Sequence, residues 1–315
     1  MTNTAIDVTN LAKGYRGVPV LQDVSFTVER GTVFALLGAN GSGKTTTINI
    51  LTTLIDADGG TARVAGFDVA EQAAKVRQHI SLTGQFAAVD DVLTARENLE
   101  LIGELRHVAD PRQTAAELLD TFRLNEAADR RLGTFSGGMR RRLDIAMSLV
   151  GGAPVIFFDE PTTGLDPQSR TDMWQTIRQL VDNGTTVFLT TQYLEEADEL
   201  ADQIAILHDG RIVARGAPDE LKAAVPTGLV ELTFSDESDL AAARHALGQQ
   251  HEVSQADTKL VITTSGSVAD LADIFIRLND RGIEPTGLAK QEPTLDDVFF
   301  KILDDHKEQR HAHAH

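Results

Sequence analysis

Gly38-Ala39-Asn40-Gly41-Ser42-Gly43-Lys44-Thr45 is the stretch on which the fold turns. It follows the apolar run Val33-Phe34-Ala35-Leu36-Leu37 and precedes a helix-compatible segment from Thr45 to Leu54. The pattern G-x-x-x-x-G-K-[ST] therefore sits in the strand–loop–helix context that gives it meaning. Its glycines let successive backbone N–H groups turn toward one point. The start of the following helix adds partial positive charge at the same spot. Lys44 has the reach for the β- and γ-phosphates of a nucleoside triphosphate, and the Thr45 hydroxyl is a suitable magnesium ligand.

Working outward, Val155-Ile156-Phe157-Phe158 is a short apolar strand that ends in two carboxylates, Asp159 and Glu160. Asp159 is expected to hold Mg2+, mostly through water, because magnesium dehydrates reluctantly. Strand alternation predicts that Glu160 points to the opposite side, where it would orient or deprotonate a water attacking the γ-phosphate.

Around these two motifs the pattern predicts strands at 5–13 and 23–29, joined by the turn Gly14-Tyr15-Arg16-Gly17, and a further strand at 61–69. From Asp91 to about Arg131 the spacing turns helical, with Leu99, Ile102, Leu105, Leu118, Leu119 and Phe122 as the apolar face. Helices at 140–150 and 168–182 flank the strand at Val155, and Thr186–Thr190 is one more buried strand. Strands alternating with helices imply an α/β fold built on a mainly parallel sheet. Ile204–His208 and Arg211–Ala214, joined by Asp209-Gly210, read as a hairpin, and Pro218 suits the start of a short helix.

Pro226-Thr227-Gly228 breaks the chain, and a domain boundary is expected there. The expected division is an N-terminal domain at 1–225, with a helical subdomain at about 86–150, and a second module at 226–305. Residues 306–315 form a tail, in which His311, His313 and His315 alternate with Ala. The second module carries the order β-α-β-β-α-β: strands at 229–234, 252–255, 259–264 and 284–289, helices at 237–247 and 268–281, and a last helix at 295–303. That order suggests a small α+β, ferredoxin-like domain.

Composition bounds the function. A net charge of −18 is poorly suited to nucleic acid and would be repelled by anionic lipid unless another protein held the chain there. The absence of cysteine excludes thiol chemistry and disulfides. No apolar run approaches the ~20 residues that span a bilayer, and the first residues lack the regions of a signal peptide.

Phe135-Ser136-Gly137-Gly138-Met139 lies between the two motifs, and with it the chain resembles the ATP-binding subunits of ATP-binding cassette (ABC) transporters, over about residues 5–222. The family pattern there is Leu-Ser-Gly-Gly-Gln, and this chain keeps its Ser-Gly-Gly centre. The resemblance implies a P-loop ATPase domain that dimerises around two ATP–Mg2+ pairs, with Ser136, Gly137 and Gly138 clasping the γ-phosphate bound by the other copy. It implies nucleotide contacts by Tyr15, stacked on adenine, and by Gly38, Ala39, Asn40, Gly41, Ser42, Gly43, Lys44, Thr45 and Thr46. It implies Gln85 as the residue sensing magnesium and the attacking water, and Asp166, in Gly164-Leu165-Asp166-Pro167, near the facing phosphate loop. The expected catalytic set is Glu160, Gln85, Gln192 and Lys44; the expected metal set is Thr45, Gln85 and Asp159.

One position departs from the pattern. The family usually places His where this chain has Gln192. An amide still donates a hydrogen bond to a γ-phosphate but carries no positive charge and shuttles no proton. Thr190-Thr191-Gln192-Tyr193-Leu194-Glu195-Glu196-Ala197-Asp198, Phe135–Asp144 and Glu292–Phe299 resemble the ATPases of daunorubicin-resistance-type drug exporters, where Gln at this position is habitual. The resemblance implies an integral membrane permease as partner, a location at the cytoplasmic face of the cell membrane, and export of a drug-like or lipid-like compound. Two alternatives stay open at this point: a non-transport ABC ATPase, and an ATP-binding regulatory subunit that hydrolyses weakly. The helix face of Arg140-Arg141-Arg142 reads as solvated, with contact to a partner or to an acidic loop as the alternative.

Overall fold

The computed structural model describes residues 3–83, 90–224, 228–248, 253–256, 259–264, 267–291, 293–299 and 301. Within it the chain forms two compact units, one running to Pro218 and one from Asp219.

The first unit opens with β1 (Thr4–Tyr15), β2 (Val18–Glu29) and β3 (Val33–Leu37), then α1 (Lys44–Leu51), β4 (Gly59–Val64), β5 (Phe67–Asp68), α2 (Ala73–Gln78) and β6 (Ile80–Thr83). Next come α3 (Ala95–Leu105), α4 (Pro111–Thr121), α5 (Gly137–Leu149), β7 (Val155–Asp159), α6 (Pro167–Asp182) and β8 (Thr186–Thr191). It closes with α7 (Leu194–Leu200), β9 (Gln203–His208) and β10 (Arg211–Gly216).

Two sheets result. An antiparallel one has the order β2-β1-β4-β5, and a six-stranded one the order β10-β9-β3-β8-β7-β6. In the second, β9, β3, β8, β7 and β6 run parallel and only β10 is antiparallel. Every residue of β3, β7 and β8 is buried, as expected of parallel strands covered on both faces.

Register explains how the core positions the site. Phe34, Phe188 and Phe157 are neighbours across β3, β8 and β7, and their rings pack at 5.5 and 5.4 Å between centroids. Phe26 of β2 stacks on Phe34 at 5.0 Å and on Phe188 at 5.8 Å, tying the two sheets together. Two residues further along the same strands the row reads Leu36, Thr190, Asp159. Side chains alternate with period 2, so the aromatic row holds Thr190 and Asp159 at the carboxyl edge of the sheet. Phe188→Ala is expected to cost about 3–5 kcal/mol, read as a lower midpoint in denaturant unfolding. A cost below about 1 kcal/mol would deny this row its role.

Three expectations need correction. Tyr15 is not in a turn. It ends β1, and the turn is Arg16-Gly17, both left-handed with φ 51° and 82°. The expected strand at 61–69 is a hairpin, because Ala65 and Gly66 at φ 53° and 87° reverse the chain between β4 and β5. The helical stretch after Asp91 is two main helices. Thr94 and Glu97 cap α3 reciprocally, and Asp110 before Pro111 caps α4, the arrangements that satisfy orphan N–H groups at helix starts.

In the second unit, α8 (Pro218–Ala223, whose first residue closes the first unit) leads into β11 (Gly228–Thr233), α9 (Glu237–Leu247), β12 (Val253–Ala256), β13 (Lys259–Thr264), α10 (Val268–Asn279) and β14 (Gly287–Gln291). The last strand lies later than the expected 284–289. The sheet order is β12-β13-β11-β14, antiparallel throughout, which is ferredoxin-like. Its core gathers Val230, Leu232, Leu240, Leu247, Leu260, Ile262, Ile274 and Leu278. Residues 295–299 begin the expected last helix; the His-containing tail lies outside the described residues.

Candidate functional site

The loop between β3 and α1 is shaped by close backbone approach. A Cβ on Gly38 would lie 2.5 Å from the Leu207 carbonyl oxygen, and one on Gly43 would lie 2.6 Å from Leu21 Cδ2. Gly43 also sits at φ 112°, as the N-cap of α1, and gives that helix no side-chain cap. The first N–H groups of α1 are thus left for another acceptor. Ser42 Oγ is buried with no hydrogen-bond partner. A buried hydroxyl without a partner beside uncapped N–H groups fits a phosphate oxygen as the missing group.

Lys44 is 4% exposed and folds back along the loop. Its Nζ donates to the Gly38 carbonyl at 2.8 Å and the Ala39 carbonyl at 3.2 Å, and pairs with Glu160 Oε1 at 3.4 Å. Thr45 Oγ1 donates to Asp159 Oδ2 at 3.2 Å. Thr190 Oγ1 donates to Asp159 Oδ1 at 2.6 Å, fixing that carboxylate from the neighbouring strand. Among the described residues no group of three His, Asp or Glu stands ready to hold a metal. Thr45 and Asp159 would therefore supply few ligands and leave the rest to phosphates and water, which is the habit of Mg2+.

Glu160 does not point away from Asp159, as alternation predicts. The strand ends at Asp159, and Glu160 takes a left-handed conformation at φ 50°. That turn brings its carboxylate to Lys44, while Asp159 meets Thr45. Both acids thus face the phosphate loop. A left-handed glutamate costs on the order of 1 kcal/mol. It is held there by its N–H donating to the Thr190 carbonyl and by Thr163 Oγ1 donating to Oε2 at 3.2 Å.

The remaining expected residues fall as follows. Tyr15 is 47% exposed, with Lys13 Nζ over its ring at 5.7 Å from the centroid. Ala39, Asn40 and Gly41 lie on the loop, and Thr46 is half-buried in the first turn of α1. Ser136 caps α5, accepting from the Met139 N–H at 3.2 Å, ahead of Gly137 and Gly138. A Cβ on Gly138 would meet Ser169 Oγ at 2.5 Å, so the Ser-Gly-Gly turn packs against the start of α6. There Asp166 accepts from the Ser169 N–H and hydroxyl at 3.0 and 2.7 Å, and those bonds hold its carboxyl below the usual range. Gln192 is half-buried just past β8. Gln85 lies outside the described residues.

The Arg140–Arg142 face is only partly solvated, and all three side chains are engaged. Arg140 pairs with Asp91 at 2.7 Å. Arg141 is buried, donates to the Pro161 carbonyl at 3.0 Å and pairs with Asp144. Arg142 donates to the Phe122 carbonyl. Each arginine ties α5 to a different segment, and a helical charge run gives no sign of that. Thr190 is a second residue that the motifs did not single out. Its signal was a hydroxyl just after the apolar run Val187-Phe188-Leu189 of a fully buried strand, and the structure sets it in register with Asp159.

The fold and this loop define a phosphate-loop nucleotide-binding ATPase. Residues 21–163 match the family model described as ABC transporter, and residues 216–303 match one described as the C-terminal domain of ATP-binding proteins of the DrrA1-3 type. The chain is 43% identical to the daunorubicin resistance ATP-binding protein DrrA2 of Streptomyces coeruleorubidus, over 99% of each chain. It is also 43% identical to the daunorubicin/doxorubicin resistance ATP-binding protein DrrA of Streptomyces peucetius, over 95% of this chain and 92% of that one. Among solved structures it is similar to the dimeric post-hydrolysis state of the ATP-binding cassette MJ0796 bound to ADP and phosphate. The TM-score is 0.61, with 25% identity, covering 67% of this chain and 98% of that one. The chain belongs to the ABC family of ATP-binding transporter subunits, in its daunorubicin-resistance group, and it is an ATPase.

Proposed function

We propose that two copies of this chain close head to tail around two Mg–ATP and drive efflux of a drug-like or lipid-like compound through a separate membrane subunit. The observation that carries this reading is the pairing of a phosphate loop with both acids, Asp159 on Thr45 and Glu160 on Lys44, in a chain alike to daunorubicin resistance proteins over nearly its whole length. No helix among the described residues is long and apolar enough to cross a membrane, so the transport path is assigned to another polypeptide, which would hold this one at the cytoplasmic face.

In this reading the loop N–H groups, Ser42 and Lys44 bind the triphosphate, Tyr15 stacks on adenine, and Thr46 adds a first-turn contact. Thr45, Asp159 and Gln85 would hold Mg2+, which when bound neutralises charge on the phosphates. Glu160 accepts the proton of the attacking water, and Gln192 donates its amide N–H to the γ-phosphate. Ser136, Gly137 and Gly138 of the second copy cover that phosphate, with Asp166 at the crossing. Val92, Leu101 and Leu105 are 72%, 42% and 66% exposed on the helical subdomain, an apolar surface suited to a membrane partner. The module at 226–305 exposes Val268, Ile276 and Leu288, which suits interaction rather than chemistry.

Detergent extraction of the chain from the membranes of cells that express it, with analysis of what co-purifies, tests the reading. An integral membrane protein is expected to co-purify, and those cells are expected to accumulate less daunorubicin than cells in which the chain carries Glu160→Gln. A chain that purifies without an integral membrane partner and leaves accumulation unchanged would end the exporter reading.

A further inference from the structure

Glu196, in the first turn of α7, is fully buried. It lies four residues after Gln192. Trp174 Nε1 of α6 donates to its Oε1 at 3.4 Å. Burial pushes its carboxyl up, while the nearby hydroxyls of Thr191 and Thr162, the Trp174 indole and the Arg170 charge favour the anion. Thr191 ends β8, next to Gln192. Thr162 lies two residues beyond Glu160. One carboxyl therefore sits between the loop that carries Glu160 and the strand end that carries Gln192.

The junction is incompletely bonded. Glu196 Oε2, Thr162 Oγ1 and Arg170 Nε are all buried and none makes a hydrogen bond of ordinary geometry, although the Thr162 hydroxyl and the Arg170 charge lie near enough to act on the carboxylate. Buried polar atoms without partners are rare and call for a reason, and three converge around one side chain. Arg170 links the same parts from α6: its guanidinium stacks over the Tyr193 ring at 5.5 Å and pairs with Glu195 at 3.3 Å. Asp166, Arg170 and Trp174 follow one another at i, i+4 and i+8, so they share one face of α6. That face joins the Asp166 loop to the segment holding Gln192.

We propose that Glu196 is a positioning residue for ATP hydrolysis: through Thr191 and Thr162 it holds Gln192 and Glu160 in mutual register at the γ-phosphate. The proposal rests on the roles given above to Glu160 and Gln192. Spare hydrogen-bonding capacity at Glu196 Oε2 and Thr162 Oγ1 lets the two segments draw together as the site closes, without breaking an existing bond. A reacting group misplaced by about 1 Å loses on the order of a hundredfold in rate, so a residue acting only through placement lowers kcat and spares nucleotide affinity.

A kinetic cycle on the full chain with Mg–ATP tests this. Glu196→Ala is expected to lower kcat about tenfold or more with KM for ATP within about twofold, a split that general loss of folded protein does not mimic once active-site concentration is titrated. Glu196→Gln is expected to retain most of kcat, because its amide still accepts from Trp174 and gains a donor for Thr162. Gln192→Ala is expected to fall by a similar factor, and Glu196→Ala/Gln192→Ala to fall no further, since residues acting as one unit are not additive. Losses that multiply in the double variant would overturn the proposal, as would parental turnover in Glu196→Ala. Should Glu196→Ala not fold, Thr162→Val, which removes only the hydroxyl, carries the test: parental kcat there would overturn the proposal equally. Parental turnover in Gln192→Ala removes Gln192 from the mechanism and takes this proposal with it, whereas parental turnover in Glu196→Ala alone leaves the roles of Gln192 and Glu160 standing.

Discussion

Glu160→Gln is expected to lower ATP turnover by about a thousandfold, roughly 4 kcal/mol of transition-state stabilisation, while ATP binding persists. The two side chains have nearly the same shape. The amide oxygen still accepts from Thr163 Oγ1, the bond now made at 3.2 Å, so the left-handed turn at position 160 keeps its support. What disappears is the negative charge and the ability to take a proton from water. Asp159 cannot substitute, because its oxygens already accept from Thr190 and Thr45 and its place in the row is fixed by register. Loss of the Glu160 charge also removes repulsion toward a triphosphate. The variant with Mg–ATP is therefore expected to elute as a dimer in size-exclusion chromatography, while the parent returns to its original state as it hydrolyses. Equal turnover in variant and parent would take Glu160 out of the chemistry, and weakened ATP binding would assign it to the loop's architecture instead.

Legibility in the sequence followed range. The phosphate loop was readable because its chemistry is local: glycine spacing, one lysine and one hydroxyl between a strand and a helix. The ferredoxin-like order of the second module was readable because alternation and helical periodicity are also local signals. Residue 160 was misread because the alternation rule holds only while the chain remains a strand, and a single left-handed residue cancels it. The hairpin at β4 and β5 was missed because Ala65-Gly66 is a weak turn signal beside Asn-Gly or Asp-Gly. Arg141 and Glu196 were out of reach for a different reason. Each is a charged residue on a helix that would ordinarily face water. Their burial is decided by segments far away in the chain, Pro161 for the one and Trp174 for the other. Tertiary contacts of that kind leave no trace in spacing.

Lys44→Ala is expected to weaken ATP binding about a hundredfold, equivalent to about 2.7 kcal/mol, and the variant tests the loop most directly. Without nucleotide the ammonium already gives two of its three donors to the carbonyls of Gly38 and Ala39, and its charge pairs with Glu160. ATP binding therefore exchanges one set of partners for another, and only the difference registers as affinity. A triphosphate offers more negative charge than a carbonyl, and charge-assisted bonds are roughly twice as strong as neutral ones, so the exchange favours the nucleotide. Removing the side chain has a second consequence. Two carbonyl tethers vanish from the loop and Glu160 keeps the Thr163 hydroxyl but loses a nearby cation, so some stability is lost as well. Breaking a buried pair costs about 3–5 kcal/mol, and the 3.4 Å separation, longer than a charge-assisted hydrogen bond, points to the low end. Isothermal titration with ATP and thermal melting separate the two effects. A lower affinity with a modest fall in Tm is the expected outcome. A fall in Tm with unchanged affinity would make Lys44 a tether for the loop and leave the triphosphate to the main-chain amides alone.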